Sequence, residues 1–563
     1  MNLSPEEKKV GEQNFHEAIG SELTRRDFLQ GSIAAGVVSG AGLGAFYFGY
    51  GRSVGNPVRI GVIGTGDEGS VLMGAHTPDY AQIVAIADIR PYNVHRAFHG
   101  DTSSPSALSA RPGLMAKYGW KTEDEARKHV KVYKDDYHDL LNDPDIEGVI
   151  IALPLHLHAP VAIEAMQAGK HVLTEKLMGH SVHECKEMGR VAAETDLLLA
   201  TGHQRHYSIL YDNAVDTVRR GLLGDLHHIR AQWHRGNLPG NDSWQMPLPP
   251  ELVKEAAALD AKIAREKPGA RLDALLRQRE LVDLQLLDES VDAAAYGYIN
   301  DESTYDHKRS AMEELVRWRL FDRTGGGLMA ELGSHQLDAA SIFVSALRED
   351  GQKVKPLSVS AVGGRHLFPH DRDVDDHVYC TYEFPAPGYD EDPNRRIVVT
   401  YSSINGNGFG GYGEIVMGTE GTLVLEREKE VMLYKGSSTS TNIKVASGRG
   451  GTGPTLDTTD SGGESPGAAV GRGALSGPIS RGYTEEIEHW AWCIRNRAPE
   501  NLPRCHPKVA LADAVIALTS NIAMRPAEGD SANRQIVFKD EWFDINSDET
   551  PEGIAPSVPS KKA

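Results

Sequence analysis

Two apolar runs, Val58-Arg59-Ile60-Gly61-Val62-Ile63 and Ile83-Val84-Ala85-Ile86-Ala87, open a region in which strand-like and helix-like patterns alternate. Further short strand patterns fall near Val130 to Tyr133, at Gly148 to Leu153, at His171 to Thr174 and at Leu197 to Thr201. Helical spacing covers Ala159 to Ala168 and Ser181 to Ala193. Strands that are apolar throughout and separated by helices predict a doubly wound parallel sheet. A Ser/Pro/Gly-rich stretch from about Pro91 to Lys121 reads as a surface excursion from it.

After Thr201 the pattern changes. Segments at Leu226 to His234, Leu357 to Gly363, His377 to Phe384, Arg396 to Ser402, Gly413 to Met417 and Thr422 to Leu425 include several with period-two alternation. That alternation predicts a mostly antiparallel sheet with one open face. Residues 249–320 are rich in Ala, Leu, Glu, Lys and Arg at helical spacing, which predicts a helical insertion that caps a site or builds an oligomer contact. Residues 436–482 turn to Gly, Ser and Thr and read as a flexible loop. Helices return at Tyr483 to Arg495 and Val509 to Met524. The expected architecture is α/β: an N-terminal Rossmann domain over 57–202, then a C-terminal α+β domain with a large open sheet over 203–435 and 483–545.

The first strand runs into Gly64-Thr65-Gly66-Asp67-Glu68-Gly69, and the second ends at Asp88, 19 positions past Gly69. A glycine triplet alone is a weak signal among 58 glycines. Between a strand and a helix, with an acid ~20 residues on, it is a dinucleotide-binding fingerprint. Gly64 allows the tight turn, Gly66 lets the backbone approach a pyrophosphate, and Gly69 lets helix and strand pack closely. Asp88 suits the two ribose hydroxyls and repels a 2′-phosphate, which favours NAD; Arg90 leaves NADP open.

Bulk properties narrow the partners. The formal charge is −20 with no basic run, which argues against nucleic acid and anionic membrane surfaces. Four cysteines make no disulfide framework, although Cys493 and Cys505 could pair, and none has metal-ligand spacing. The polar stretch His366 to His377 reads as a solvated turn near the substrate mouth, so no metal is expected. Thr24-Arg25-Arg26-Asp27-Phe28-Leu29-Gln30 precedes a charge-free run from Gly31 to Tyr50. This resembles a twin-arginine export signal, making residues 1–52 a signal or membrane anchor outside the fold. The expected partner is then the twin-arginine translocase, and the expected location the periplasm, with or without an inner-membrane anchor.

Further motifs follow in order: Leu153-Pro154-Leu155-His156-Leu157-His158, Gly169 to Leu177 containing Glu175-Lys176-Leu177, Gly202-His203-Gln204-Arg205, and Gly325 to Asp338 containing Glu331 and His335. Together with the fingerprint, the chain resembles the glucose-fructose oxidoreductase/inositol dehydrogenase/rhizopine-catabolism (Gfo/Idh/MocA) oxidoreductases over most of residues 57 to 430. The resemblance implies that Lys176 holds a substrate hydroxyl and His335 takes its proton, an imidazole being suited to that task near neutral pH. Glu331, four residues before His335, would share its helix face and orient the ring. Pro154, His158 and Glu175 would contact the cofactor, the last two around the nicotinamide ribose. Arg205 and Asp338 would meet the substrate. Leu177 stands where relatives carry proline.

An exported protein that loads its nucleotide before export must return it to its starting redox state in every cycle. The expected activity is therefore oxidation or reduction of a sugar, polyol or glycoside with retained NAD. The alternatives are a glycosidase or epimerase working by transient oxidation, and a noncatalytic carbohydrate- or cofactor-binding protein. The broad second sheet suggests a homodimer or tetramer.

Overall fold

The computed structural model describes residues 3–23, 41–301, 307–348, 352–447, 453–459, 465–475, 480–525 and 534–553. The twin-arginine motif lies outside the described residues, as do residues 31–40. Six parallel strands form the first sheet: β1 (Val58–Ile63), β2 (Ala81–Ala87), β3 (Lys131–Tyr133), β4 (Gly148–Ile151), β5 (His171–Glu175) and β6 (Leu199–Gly202). Their order, β3-β2-β1-β4-β5-β6, reverses direction of growth between β1 and β4. That reversal opens a crevice at the carboxyl ends of the strands, the place where such sheets bind ligands.

The second sheet has eight strands. They are β7 (Leu226–His234), β8 (Ser358–Gly364), β9 (His377–Pro385), β10 (Arg396–Ile404), β11 (Tyr412–Gly418), β12 (Gly421–Glu426), β13 (Glu430–Lys435) and, after an excursion, β16 (Gln535–Val537). All neighbours pair antiparallel except β7 with β10. In β9 the residues Val378, Cys380, Tyr382 and Phe384 alternate inward, and in β10 Ile397, Val399 and Tyr401 do the same. The fold class read from hydrophobic periodicity therefore holds for both sheets. The buried helix Pro507–Met524 joins them, touching β6 and β8 as well as the helices Val182–Thr195 and Ser334–Ser345.

Three segments differ from expectation. Residues 5–23 are not outside the fold: the helix Pro5–Leu23 lies on β13 with Phe15, Ala18 and Ile19 buried, an i, i+3, i+4 stripe. Asn14 fixes it, donating to the carbonyls of Leu433 at 3.0 Å and Thr441 at 2.9 Å. The helix Ala41–Phe48 likewise packs on the body, with Phe48 against Tyr207.

Residues 436–482, expected to be a loop, contain the hairpin β14 (Ile443–Ser447) with β15 (Pro454–Thr458) and the helix Pro466–Ala474. The glycines there serve contact rather than flexibility. A Cβ at Gly471 would lie 2.0 Å from the His16 carbonyl oxygen, and one at Gly20 would lie 1.8 Å from that of Gly467. Bare backbone lets the two helices touch. The excursion after Pro91 also holds structure, in the helices Pro91–His99, Pro105–Ala110 and Gly113–Tyr118.

Within 249–320, the helices Pro249–Ile263 and Ala270–Leu286 pack together around Leu252, Ala256, Leu259 and Val282. The 3₁₀ turn Leu287–Ser290 then brings the chain back to the first sheet. All four cysteines are free and buried.

Candidate functional site

A cleft of about 1900 Å³ runs from the carboxyl ends of β1 and β2, past β4 and β5, to the end of β7 and the helix carrying His335. At its first end, Gly64 has φ +88, and a Cβ there would sit 2.3 Å from the Ala152 carbonyl oxygen, so only glycine makes this turn. A Cβ at Gly69 would meet the Gly64 carbonyl oxygen at 2.0 Å; this is the close helix–strand contact the fingerprint requires, and Gly69 itself lies behind the wall. Gly66 caps the helix Asp67–Ala75, and a Cβ there would face open space apart from Asn93 Nδ2 at 3.8 Å. These features fit a dinucleotide phosphate at the helix N-terminus. Asp67 and Glu68, both acidic at that terminus, would repel one. Asp67 is paired with Arg96 at 2.7 Å, and burial raises the Glu68 carboxyl toward its neutral form.

Asp88 closes β2. Its Oδ2 accepts from the Thr65 N–H at 2.7 Å and its Oδ1 from the Arg90 N–H at 2.8 Å, which ties the acid to the glycine turn. The Arg90 guanidinium is not free: its Nε donates to Asp288 Oδ2 at 2.8 Å, on the 3₁₀ turn of the helical insertion. Sequence reading missed this partner, which lies 198 positions away.

At the other end, Lys176 follows β5, and the Lys176–Leu177 peptide bond is cis. Its Nζ donates to the Glu331 backbone carbonyl at 2.8 Å and lies 3.7 Å from Glu331 Oε2. Glu331 sits in a π-helical turn, Met329–Gly333, just before the helix Ser334–Ser345. The wider turn changes which residues share a face. Its carboxylate meets Arg319 at 2.9 Å and Lys176 rather than the His335 ring, so the expectation that Glu331 orients the histidine is corrected: it positions the lysine. Burial alone would raise this carboxyl, but Arg319 and then Lys176 overcome it and hold its pKa at about 2.

His335 presents a half-buried ring to the cleft, its Nδ1 buried without a hydrogen-bond partner among the described residues. The ring lies 5.6 Å from that of Trp233, which stacks on Tyr412 at 4.3 Å. Burial first, then the charges of Lys176 and Arg205, push the imidazole well below its ordinary pKa. It is neutral at pH 7 and able to accept a proton. Glu175 lines the same end, its Oε1 without a partner among the described residues and its carboxyl raised to about 8 by burial and by nearby Glu68.

Other expected contacts fall elsewhere. Pro154 lines the cleft ahead of a short 3₁₀ turn. His158 reaches the wall but is buried, its ring nitrogens 2.8 Å from the carbonyls of Leu177 and Leu153 respectively, so that both are engaged in bracing the lysine loop. Arg205 is buried behind the wall, paired with Glu428 at 2.6 Å and Glu414 at 3.4 Å, and it donates to the His335 carbonyl. It holds the histidine's backbone and does not line the cleft.

Asp338 is also buried, accepting from His206 Nε2 and Lys353 Nζ at 2.8 Å each. Lys353 further donates to Asp513 at 2.9 Å, so an ammonium fills the centre of this acidic group. The turn around His366 to His377 is organised by Asp376, whose Oδ2 accepts from the Phe368 N–H at 2.8 Å, and it does not line the cleft. Arg319, Trp233, Arg235, Tyr412 and Tyr483 line it unforeseen, because nothing in their local pattern marks them.

Residues 58–203 match the family model described as the Gfo/Idh/MocA oxidoreductase family with NAD-binding Rossmann fold. A glycosyl hydrolase family 109 protein of Stenotrophomonas maltophilia is 33% identical over 184 residues, 31% of this chain and 36% of the relative. The uncharacterized oxidoreductase YdgJ of Escherichia coli is 25% identical over 184 residues, 30% of this chain and 51% of the relative. The matched part thus spans about a third to a half of these curated relatives. Among solved structures, an aldose-aldose oxidoreductase from Caulobacter crescentus complexed with glycerol aligns over 86% of this chain and 100% of its own, at 15% identity and a TM-score of 0.47.

Proposed function

We propose that the N-terminal domain, whose residues 58–203 match the Gfo/Idh/MocA oxidoreductase family model, binds NAD as a Rossmann domain. On that premise we propose that the whole chain is a nicotinamide-dependent oxidoreductase acting on a CH–OH group of a sugar, polyol or glycoside, with NAD retained between turnovers. The observation that carries this reading is the convergence of Lys176 and His335 at the cleft end that Glu175 also lines. Gly64, Gly66, Asp88 and Glu175 would hold the cofactor. The capture of Arg90 by Asp288 leaves Asp88 to set the preference, which favours NAD over NADP.

When bound, the nicotinamide supplies the acceptor for the hydride leaving the substrate carbon. The Lys176 ammonium, steered by Glu331, hydrogen-bonds the substrate hydroxyl oxygen and favours its alkoxide-like state. Neutral His335 accepts the hydroxyl proton. The Trp233 ring, backed by Tyr412, lies beside the histidine and limits the access of bulk water to it.

A second reading is favoured by the relatives named glycosyl hydrolase family 109 proteins: transient oxidation, elimination or inversion, then reduction, with no net redox change. The same lysine and histidine would serve it. We further propose export by the twin-arginine route, supported by the motif at residues 24–29 and the charge-free run after it. A homo-oligomer is supported by the exposed Val362 and Tyr379 on the outer face of the eight-stranded sheet.

The experiment is to purify the protein, denature it and identify the released nicotinamide by absorbance and mass. Stoichiometric NAD or NADH supports the retained-cofactor cycle. Empty protein that binds added NAD only weakly would leave an ordinary dissociating dehydrogenase.

A further inference from the structure

The chain carries a formal charge of −20, yet the end of the cleft around Glu331 is cationic. Lys176, Arg319 and Arg235 all act on this one carboxylate. Lys176 and Arg319 make direct contact with it. Arg235, half-buried at the end of β7, donates a side-chain hydrogen bond to none of the described residues and forms no ion pair with them. Its guanidinium lies 5.4 Å from the Trp233 ring centroid and 5.9 Å from that of Trp244. By contrast, Arg90, Arg96 and Arg111 at the other end of the cleft each have a carboxylate partner.

We propose that the substrate is an anionic sugar whose acidic group pairs with Arg235 while its reacting hydroxyl meets Lys176 and His335. This rests on the oxidoreductase reading of the same cleft. A half-buried guanidinium with no acceptor among the described residues gains a charge-assisted partner when an anion enters. The planar fork offers two parallel N–H donors, the geometry that carboxylate, phosphate and sulfate oxygens accept. The two indoles bracket the guanidinium, which limits the freedom lost when the pair forms. Burial lowers the pKa of Arg235 below the usual arginine value, and the Glu331 carboxylate offsets this only in part. One indole, that of Trp233, borders both Arg235 and the His335 ring, which places the two groups along the same part of the cleft.

The test is calorimetric titration of the cofactor-loaded protein with matched probes. These are D-glucuronate against D-glucose, D-galacturonate against D-galactose, and D-glucose 6-phosphate and D-glucose 6-sulfate to separate carboxylate from ester. The same titrations are run on Arg235→Met and Arg235→Lys. At least one acidic probe is expected to bind tenfold or more tightly than its neutral partner. Arg235→Met should erase that difference and Arg235→Lys keep part of it, with bound NAD unchanged in both. Equal binding of acidic and neutral probes, no binding of any acidic probe, or an acidic preference that survives in Arg235→Met overturns the proposal. An acidic preference without NAD reduction would instead remove the redox reading and leave this one standing.

Discussion

The ammonium of Lys176, on the first sheet's domain, is hydrogen-bonded to the backbone carbonyl of Glu331, on the second, at 2.8 Å. The two halves of the reaction site are therefore positioned against each other by main chain as well as by charge. Substituting Lys176→Ala is expected to lower turnover by roughly 10²–10⁴-fold, as is His335→Ala, the range for losing a proton-handling group. Bound NAD, quantified after denaturation, should remain. Unchanged turnover in either variant would remove that residue from the chemistry.

The pH profile should carry the mark of a depressed histidine. His335 is held well below the ordinary value near 6.5 by burial and by Lys176 and Arg205. A base with a lowered pKa stays unprotonated to lower pH, so kcat/KM should be level from pH 8 down through 6.5 and fall only in more acidic buffer. An acid limb centred at 6.5 or above would mean that the base is a different group.

Cofactor choice should respond to two positions. Asp88→Ala removes the acid that repels a 2′-phosphate, and Asp288→Ala frees the Arg90 guanidinium to meet one. Each change should raise NADP affinity relative to NAD by about tenfold, the effect of one charge-assisted hydrogen bond. The double variant should shift it further. Fluorescence titration of both nucleotides measures it, and an unaltered ratio in Asp288→Ala would show that the ion pair has no bearing on the choice.

The N-terminal helix offers a stability test. At Gly471 a Cβ would lie 2.0 Å from the His16 carbonyl oxygen, so Gly471→Leu must push the helix Pro466–Ala474 off Pro5–Leu23. A loss of about 1–3 kcal/mol is expected, as for overpacking elsewhere. Limited proteolysis should then cut within residues 5–23 much faster than in the parent protein. Equal cutting rates would show that this contact does not hold the helix down.

The pattern of apolar runs reads the first sheet and six of the eight strands of the second, missing β13 and β16, because burial on one or two faces imprints a period on neighbouring residues. That Gly64, Gly66, Asp88, Lys176 and His335 share one cleft is legible for a similar reason: each belongs to a short stretch whose chemistry is local. Arg205 and Asp338 were misread because their roles depend on Glu428, Glu414, Lys353 and Asp513, partners brought in from distant segments. Arg235 and Trp233 escaped notice because a cleft wall has no period. The glycines of 436–482 predict flexibility by composition, and composition alone does not tell a mobile backbone from one that another backbone must touch.

The capture of Arg90 by Asp288 makes the nucleotide-binding half of this protein something other than a portable module. Transplanted onto a partner that lacks the helical insertion, the same β1-to-β2 sequence would present an unclaimed guanidinium beside Asp88 and a different electrostatic face to the ribose. Two relatives with identical fingerprints can on this account differ in nucleotide preference, and the residue responsible would sit in the insertion, far outside the motif by which such domains are ordinarily recognised.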